Sequence, residues 1–293
     1  MTDMTKQTTL VLGGTGKTGR RVARRLATLG HPVRVGSRSG QPPFDWQDRA
    51  TWAAALHGVG AAYLSYYPDL AAPGAAETAG GFARLAVSSG VSRLVLLSGR
   101  GEPEAELAEQ AVRESGAELT IVRAAWFNQN FSEDFLLGSV LADEVALPAG
   151  EVPEPFVDAD DIADVAVAAL TQDGHAGQLY ELTGPRLLTF AEAVGEIAAA
   201  AGRPIRYLPV PAGDYAAAAV RQGVPAETVE LLSYLFREVL DGRNARLADG
   251  VQRALGRQPR DFASYARHTA ASGVWDVPAA SGAAGTASAP IPG

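Results

Sequence analysis

The sequence predicts an α/β fold: a Rossmann-type parallel sheet with helices on both faces, followed by a smaller, mostly helical C-terminal cap. Three observations predict it. Short apolar, β-rich runs alternate with helical runs through the first 125 residues. A glycine-rich turn, Gly13 to Gly19, separates the first such run from the first helical one. Beyond residue 125 the alternation loosens and residues 212–272 read as mainly helical. Strand–helix alternation with apolar strands implies parallel strands joined by right-handed crossovers.

Taken in order, residues 8–13 (TTLVLG) form the first strand. Residues 17–30 follow as a helix, with Val22, Leu26 and Leu29 on one face, arginines on the other and Gly30 as C-cap. The next strand is 32–38 (PVRVGSR), then a helix over WQDRATWAAALHGV, a strand over 61–67 ended by Pro68, and a helix over ETAGGFARLAVSSG. Residues 92–99 form a strand, 103–116 a helix and 117–125 a strand. The second half reads as a short strand and an Asp-capped helix in EPFVDADDIADVAVAAL, then a strand in GQLYELTG. A helix with a Thr189/Glu192 capping box and a strand in RPIRYLPV follow. The expected division is 1–153 as nucleotide-binding core, 154–277 as remaining sheet elements and cap, and 278–293, rich in Ala, Gly, Ser and Pro, as a disordered tail.

Composition narrows the function. The chain has 293 residues, 47% of them apolar, enough for a sizeable core. A net charge of −8 argues against a nucleic-acid groove and suits a small-molecule ligand. With no cysteine, thiolate catalysis, disulfides and cysteine metal sites are excluded. His31, His57, His175 and His268 are scattered, without metal spacing. No signal peptide and no stretch of about 20 apolar residues is seen, so a cytoplasmic protein without membrane contact is expected. Only Lys6 and Lys17 are lysine; the other 23 basic residues are arginine.

The glycine turn allows two readings. Gly16-Lys17-Thr18 could end a triphosphate P-loop, but that loop needs a glycine five residues before Gly16, and Val11 stands there. The alternative is a dinucleotide turn, in which Gly13 ends the strand, Gly16 admits a pyrophosphate and Gly19 packs the helix on the sheet. Thr15, Lys17 and Thr18 lie in or beside the same turn, and the helix N-terminus favours anions. The second strand ends without an acid to hold ribose hydroxyls; Ser37 and Arg38 stand there, and a guanidinium suits a 2′-phosphate. NADP(H) is therefore preferred over NAD(H).

These segments, with FDWQD, ALHGVGAAYL, SRLVLLSG, ESGAELTIVRAAWFNQNF, PFVDADDIADVAVAAL and YELTGPRLLTFAEAV, resemble the NmrA-like proteins, atypical members of the short-chain dehydrogenase/reductase superfamily. The resemblance covers roughly residues 8–210. It implies an NADPH-dependent reductase of quinones, dyes or other conjugated acceptors, some relatives tailoring aromatic polyketides, or else a non-catalytic sensor of NADP. It places Asp45 and Trp46 by the adenine, and Tyr66 and Tyr67 near ribose and nicotinamide. Ser98 falls at the position of an active-site serine. Arg100, Trp126, Phe127 and Asn130 would face nicotinamide and substrate.

One departure matters most. The superfamily's usual Tyr-x-x-x-Lys proton relay is ruled out, because no lysine follows residue 17. That disfavours ketone chemistry, where an alkoxide must be protonated, and favours quinones, whose reduced oxyanion is stable. The reading is an NADPH-dependent reductase of a quinone or similar aromatic acceptor, extending to polyketide tailoring in which a dihydroquinone is then oxygenated. The alternative is the NADP-sensing regulator with a protein partner. Candidate catalytic residues are Tyr67, Arg100 and Asn130. A partner hydroxylase or a homodimer is a possible association.

Overall fold

In the computed structural model, which describes residues 7–277, a six-stranded sheet is all parallel, in the order β2-β1-β3-β4-β5-β7. The elements run β1 (Thr8–Leu12), α1 (Gly19–Thr28), β2 (Val33–Gly36), α2 (Trp52–Leu56), β3 (Val59–Leu64), α3 (Ala75–Ser88), β4 (Arg93–Gly99), α4 (Pro103–Arg113) and β5 (Glu118–Ala124). Then come α5 (Asn130–Glu133), α6 (Leu137–Leu141), β6 (Glu144–Leu147), α7 (Ala159–Thr171), β7 (Leu179–Leu182), α8 (Phe190–Ala201), β8 (Arg206–Pro209), α9 (Ala212–Arg221), α10 (Ala226–Tyr234), α11 (Gly250–Leu255) and α12 (Phe262–Ala271). The expected tail, 278–293, lies outside the described residues.

The apolar strands are buried on both faces, as a covered parallel sheet requires. Leu10, Val11 and Leu12 of β1 are wholly buried. On one face Leu94 and Leu96 of β4 meet Phe82 and Ala83 of α3 and Ala105, Ala108 and Val112 of α4. On the other, Val95 meets Val22 and Leu26 of α1 and Ile162 and Ala166 of α7. A third apolar cluster forms the cap, from α5, α6, β6, α8, α12 and the segment around Phe236.

Several expectations are corrected. Leu29 is 55% exposed, because α1 ends at Thr28 and Leu29 already turns towards Gly30. The helix expected over WQDRATWAAALHGV shrinks to a 3₁₀ turn capped by Asp48 and the five residues of α2. EPFV is not a strand: Glu154 and Val157 make isolated bridges, to Leu188 and Phe127. The strand in RPIRYLPV does not join the main sheet but pairs with β6, which the sequence reading missed, in a separate two-stranded sheet. Residues 131–149 belong to the cap cluster, and 157–182 return to the sheet. The capping box of α8 and the aspartate cap of α7 form as expected.

Candidate functional site

The glycine turn joins β1 to α1 at the carboxyl edge of the sheet, where α/β sheets bind ligands. Gly13 adopts φ +65°, and a Cβ there would press on Ser65 at 3.0 Å. A Cβ on Gly19 would collide with the Gly13 carbonyl, so the helix can approach the turn only without a side chain. Gly14, outside the G-x-x-G-x-x-G pattern, is as tightly held: its Cβ would lie 2.6 Å from Val35 of β2. Thr15 and Gly16 are exposed. This close-packed turn, with free space over Thr15 and Gly16 and a helix N-terminus behind, fits a pyrophosphate.

The segment after β5 is bound to this turn. Lys17 Nζ donates to Asn130 Oδ1 at 2.9 Å, pairs with Asp134 and stands 5.7 Å from the Phe127 ring centre. Arg21 grips Glu133 with two bonds, of 2.7 and 3.0 Å, and Arg20 joins them. Against the pull of burial, Arg21 and Arg20 hold the Glu133 carboxyl below its usual range. One turn further, Arg25 bridges Asp160 and Asp164 of α7. The structure thus brings together Gly16, Lys17, Phe127 and Asn130.

No protein-family model matches the sequence. It is similar to the NAD(P)H azoreductase of Xenophilus azovorans, at 31% identity over 290 residues, 90% of this chain and 99% of the relative. It is 32% identical over 274 residues to the uncharacterized oxidoreductase YesF of Bacillus subtilis, covering 89% of this chain and 95% of that protein. Its fold matches the NADPH complex of an NADPH-dependent quinone oxidoreductase from Escherichia coli, with a TM-score of 0.72 at 21% identity over 89% of this chain and 99% of that one. The chain belongs to the NmrA-like family of atypical short-chain dehydrogenases/reductases. It is an NAD(P)H-dependent oxidoreductase.

Within this NmrA-like frame the remaining expected residues fall into two groups. Some line the open edge. Arg38 is exposed at the end of β2 and makes no ion pair among the described residues, while the Ser37 carbonyl closes the turn by accepting from Gly40 and Phe44. Tyr67 is 71% exposed beyond β3. Trp126 is half-buried and stacks on Phe236 of the cap, with centroids 5.4 Å apart.

Others are turned inward. Trp46 is buried, edge-on to Phe44, Trp52 and Phe82, and donates to the Ser65 carbonyl; it is core, with Tyr66 leaning on it. Asp45 orders its own turn, accepting from the Gln47 amide. Thr18 is buried and its hydroxyl takes the Tyr63 phenol proton at 3.0 Å. Ser98 is buried and donates to Glu109 at 2.6 Å, and Glu109 also receives two bonds from Arg123. Arg100, 2% exposed, is a strut between sheet and cap: it donates to Glu181 and to the Asn244 carbonyl, and Asn244 returns a bond to the Arg100 carbonyl.

The sequence reading missed three acids. Glu154, 1% exposed, is pushed up to about 8 by burial, moderated by the Trp126 amide and the charge of Arg100. Its Oε2 has no partner among the described residues, nor does Arg100 Nη2. Asp69 follows Tyr66-Tyr67-Pro68, and Glu102 follows Ser98-Gly99-Arg100-Gly101, both on strand-end loops. Their signal was position alone: each stands within a few residues of a segment already singled out. Among the described residues no cluster of metal-ligating groups occurs, and no helix is long and apolar enough to cross a membrane.

Proposed function

We propose that the protein reduces a quinone or a similar conjugated aromatic acceptor, using NADPH. The observation that carries the reading is the joining, through Lys17, of the glycine turn to Phe127 and Asn130. A phosphate-sized anion site and an aromatic wall then lie side by side. The names of the relatives support it: an azo compound and a quinone are both flat, electron-poor π systems.

When bound, the nicotinamide supplies a hydride to an electrophilic atom of the acceptor. The turn at Thr15 and Gly16 and the N-terminus of α1 hold the pyrophosphate. Lys17 neutralises phosphate charge once it exchanges Asp134 for it. Arg38, exposed at the end of β2, would hold the 2′-phosphate, the basis for NADPH over NADH. Tyr67, Trp126 and Phe127 hold the flat acceptor and exclude water, and Asn130 fixes Lys17 beside them.

In its narrower form the reading places the enzyme in the cytoplasm as a tailoring enzyme of aromatic polyketides. Its dihydroquinone product then meets oxygen, alone or with a partner hydroxylase, and the enzyme works singly or as a homodimer. Oxygen uptake that follows quinone reduction tests this form.

The central test is NADPH oxidation against a panel of quinones and azo dyes, with Arg38→Glu alongside. A charged hydrogen bond contributes about 1.5–3 kcal/mol, so Arg38→Glu is expected to raise KM for NADPH about ten- to a hundredfold and to leave NADH nearly unchanged. Tight NADPH binding without turnover of any acceptor would replace the reductase by the NADP-sensing regulator.

A further inference from the structure

We propose that Tyr63 is a positioning residue for the cofactor: acting through Thr18, it fixes the start of α1, whose first amides meet the pyrophosphate. The inference rests on the reading of the glycine turn as the pyrophosphate site.

The bond that carries it links sheet to helix. Tyr63 lies in β3, opposite Val11 of β1 and Val95 of β4. It is wholly buried, in the apolar cluster that includes Val22 and Leu26 of α1. Its hydroxyl lies 3.0 Å from Thr18 Oγ1, and Thr18 is 4% exposed. An apolar side chain would complete this layer as Val11 and Val95 do, so packing alone does not call for the phenol oxygen. A buried hydroxyl is costly without a partner, and Thr18 is the one hydrogen-bond partner of the Tyr63 hydroxyl among the described residues. Burial raises the phenol above its ordinary value and keeps it protonated. Tyr63 therefore donates and Thr18 accepts.

The rest of the turn is held by other means. Gly13 and Gly14 leave no room for a side chain against Ser65 and Val35, which sets how closely the turn approaches the sheet. Lys17 is held from outside the sheet, by Asn130 and by Asp134, the latter nearly half exposed. Among the described residues the Tyr63–Thr18 bond is the only hydrogen bond that a side chain of the sheet makes to residues 13–19.

Thr18 shows what the bond is used for. A threonine at a helix start commonly turns its oxygen onto the first amides of its own helix. Here Thr18 has helical backbone angles, φ −86° and ψ −46°, and its side chain makes no capping bond. The oxygen is engaged by Tyr63 instead. The first amides of an α-helix have no partner within it, so those of α1 stay open to an anion, which the helix N-terminus favours. Thr15 and Gly16, just before, are exposed. Tyr63 thus anchors the helix start from the sheet and leaves its anion-binding amides uncovered.

The test reads binding rather than turnover. NADPH is followed by its fluorescence on binding. 2′-AMP, which carries the adenosine and the 2′-phosphate but no pyrophosphate, is followed by its displacement of NADPH. A net hydrogen bond is worth about two- to tenfold in an equilibrium. Tyr63→Phe is therefore expected to weaken NADPH binding about two- to tenfold and to leave 2′-AMP binding unchanged. Thr18→Val should show the same loss, and Thr18→Ser, which keeps the hydroxyl, should bind as wild type. The double variant Tyr63→Phe/Thr18→Val should bind no more weakly than either single one, because both remove the same bond. A merely structural role would weaken both ligands alike, so equal losses for NADPH and 2′-AMP overturn the proposal. Unchanged NADPH binding in Tyr63→Phe, or a double variant whose loss is the product of the single losses, overturns it too and leaves the pyrophosphate site in place. Wild type that binds NADPH no more tightly than 2′-AMP removes the pyrophosphate from the turn, and the positioning role with it.

Discussion

Two regions at the carboxyl edge of the sheet handle negative charge in opposite ways. Along α1 and the turn before it, four acids are matched by bases: Asp134 by Lys17, Glu133 by Arg20 and Arg21, Asp160 and Asp164 by Arg25. On the loops after β3 and β4, Asp69 and Glu102 take part in no ion pair among the described residues, and burial pushes both carboxyls above their usual range. The first arrangement leaves its acids ionised and its bases available for exchange with phosphate. The second disfavours ionisation.

The comparison can be broken at graded points. The largest effect is expected where an ion pair is both matched and buried. Glu109 is 2% exposed and takes bonds from Ser98 and from both Nε and Nη2 of Arg123. Glu109→Ala leaves Arg123 and Ser98 short of their partner. Breaking such a pair costs about 3–5 kcal/mol, to be read as a lowered midpoint in denaturant unfolding.

An intermediate effect is expected at Glu154, where charge is matched only at a distance. Its folded carboxyl titrates near 8, against 4.5 ordinarily. The folded protein therefore holds a proton that the unfolded chain releases between those values. Stability should be greatest below about pH 4.5 as far as this group is concerned, and fall as pH rises through 8. Glu154→Gln should flatten the dependence of Tm on pH across that window. A wild-type Tm that climbs from pH 5 to 8, and climbs equally in the variant, would remove Glu154 from the account.

The smallest effect is expected at the exchangeable end. Asp134 is nearly half exposed, and its bond to Lys17 competes with phosphate. Exposed ion pairs are worth about 0.2–1 kcal/mol, so Asp134→Asn should tighten NADPH binding about two- to fivefold, measured by quenching of protein fluorescence. Weaker binding would mean that Asp134 positions Lys17 rather than competes for it.

How far these features were legible in the sequence depends on what a pattern can encode. The parallel sheet was readable because both-face burial writes itself as unbroken apolar runs such as 10–12 and 94–97. The glycine turn was readable because collisions at Gly13 and Gly19 exclude other residues. Side-chain direction at strand ends was not. Ser98 shares the β4 face of Leu94 and Leu96 and so meets α4, whereas Gly99 is on the opposite phase. A one-residue phase decides whether a group faces a helix or the cleft. Trp46 shows the same limit: its neighbours Phe82 and Ser65 arrive from distant parts of the chain.

The segment from Trp126 to Asp134 belongs to both packing units at once. Trp126 stacks on Phe236, Ser132 accepts from Tyr265 and the Phe131 carbonyl from Trp275, all within the cap. In the same stretch, Asn130 and Asp134 hold Lys17 just before α1, and Glu133 holds Arg21 within it. Cap and phosphate turn are thus tied by a single short strap, and neither can shift without loading the other. On the proposed function, seating the cofactor would draw Lys17 off Asp134 and load the same strap. Such a linkage favours a compulsory order of addition, nucleotide first and acceptor second.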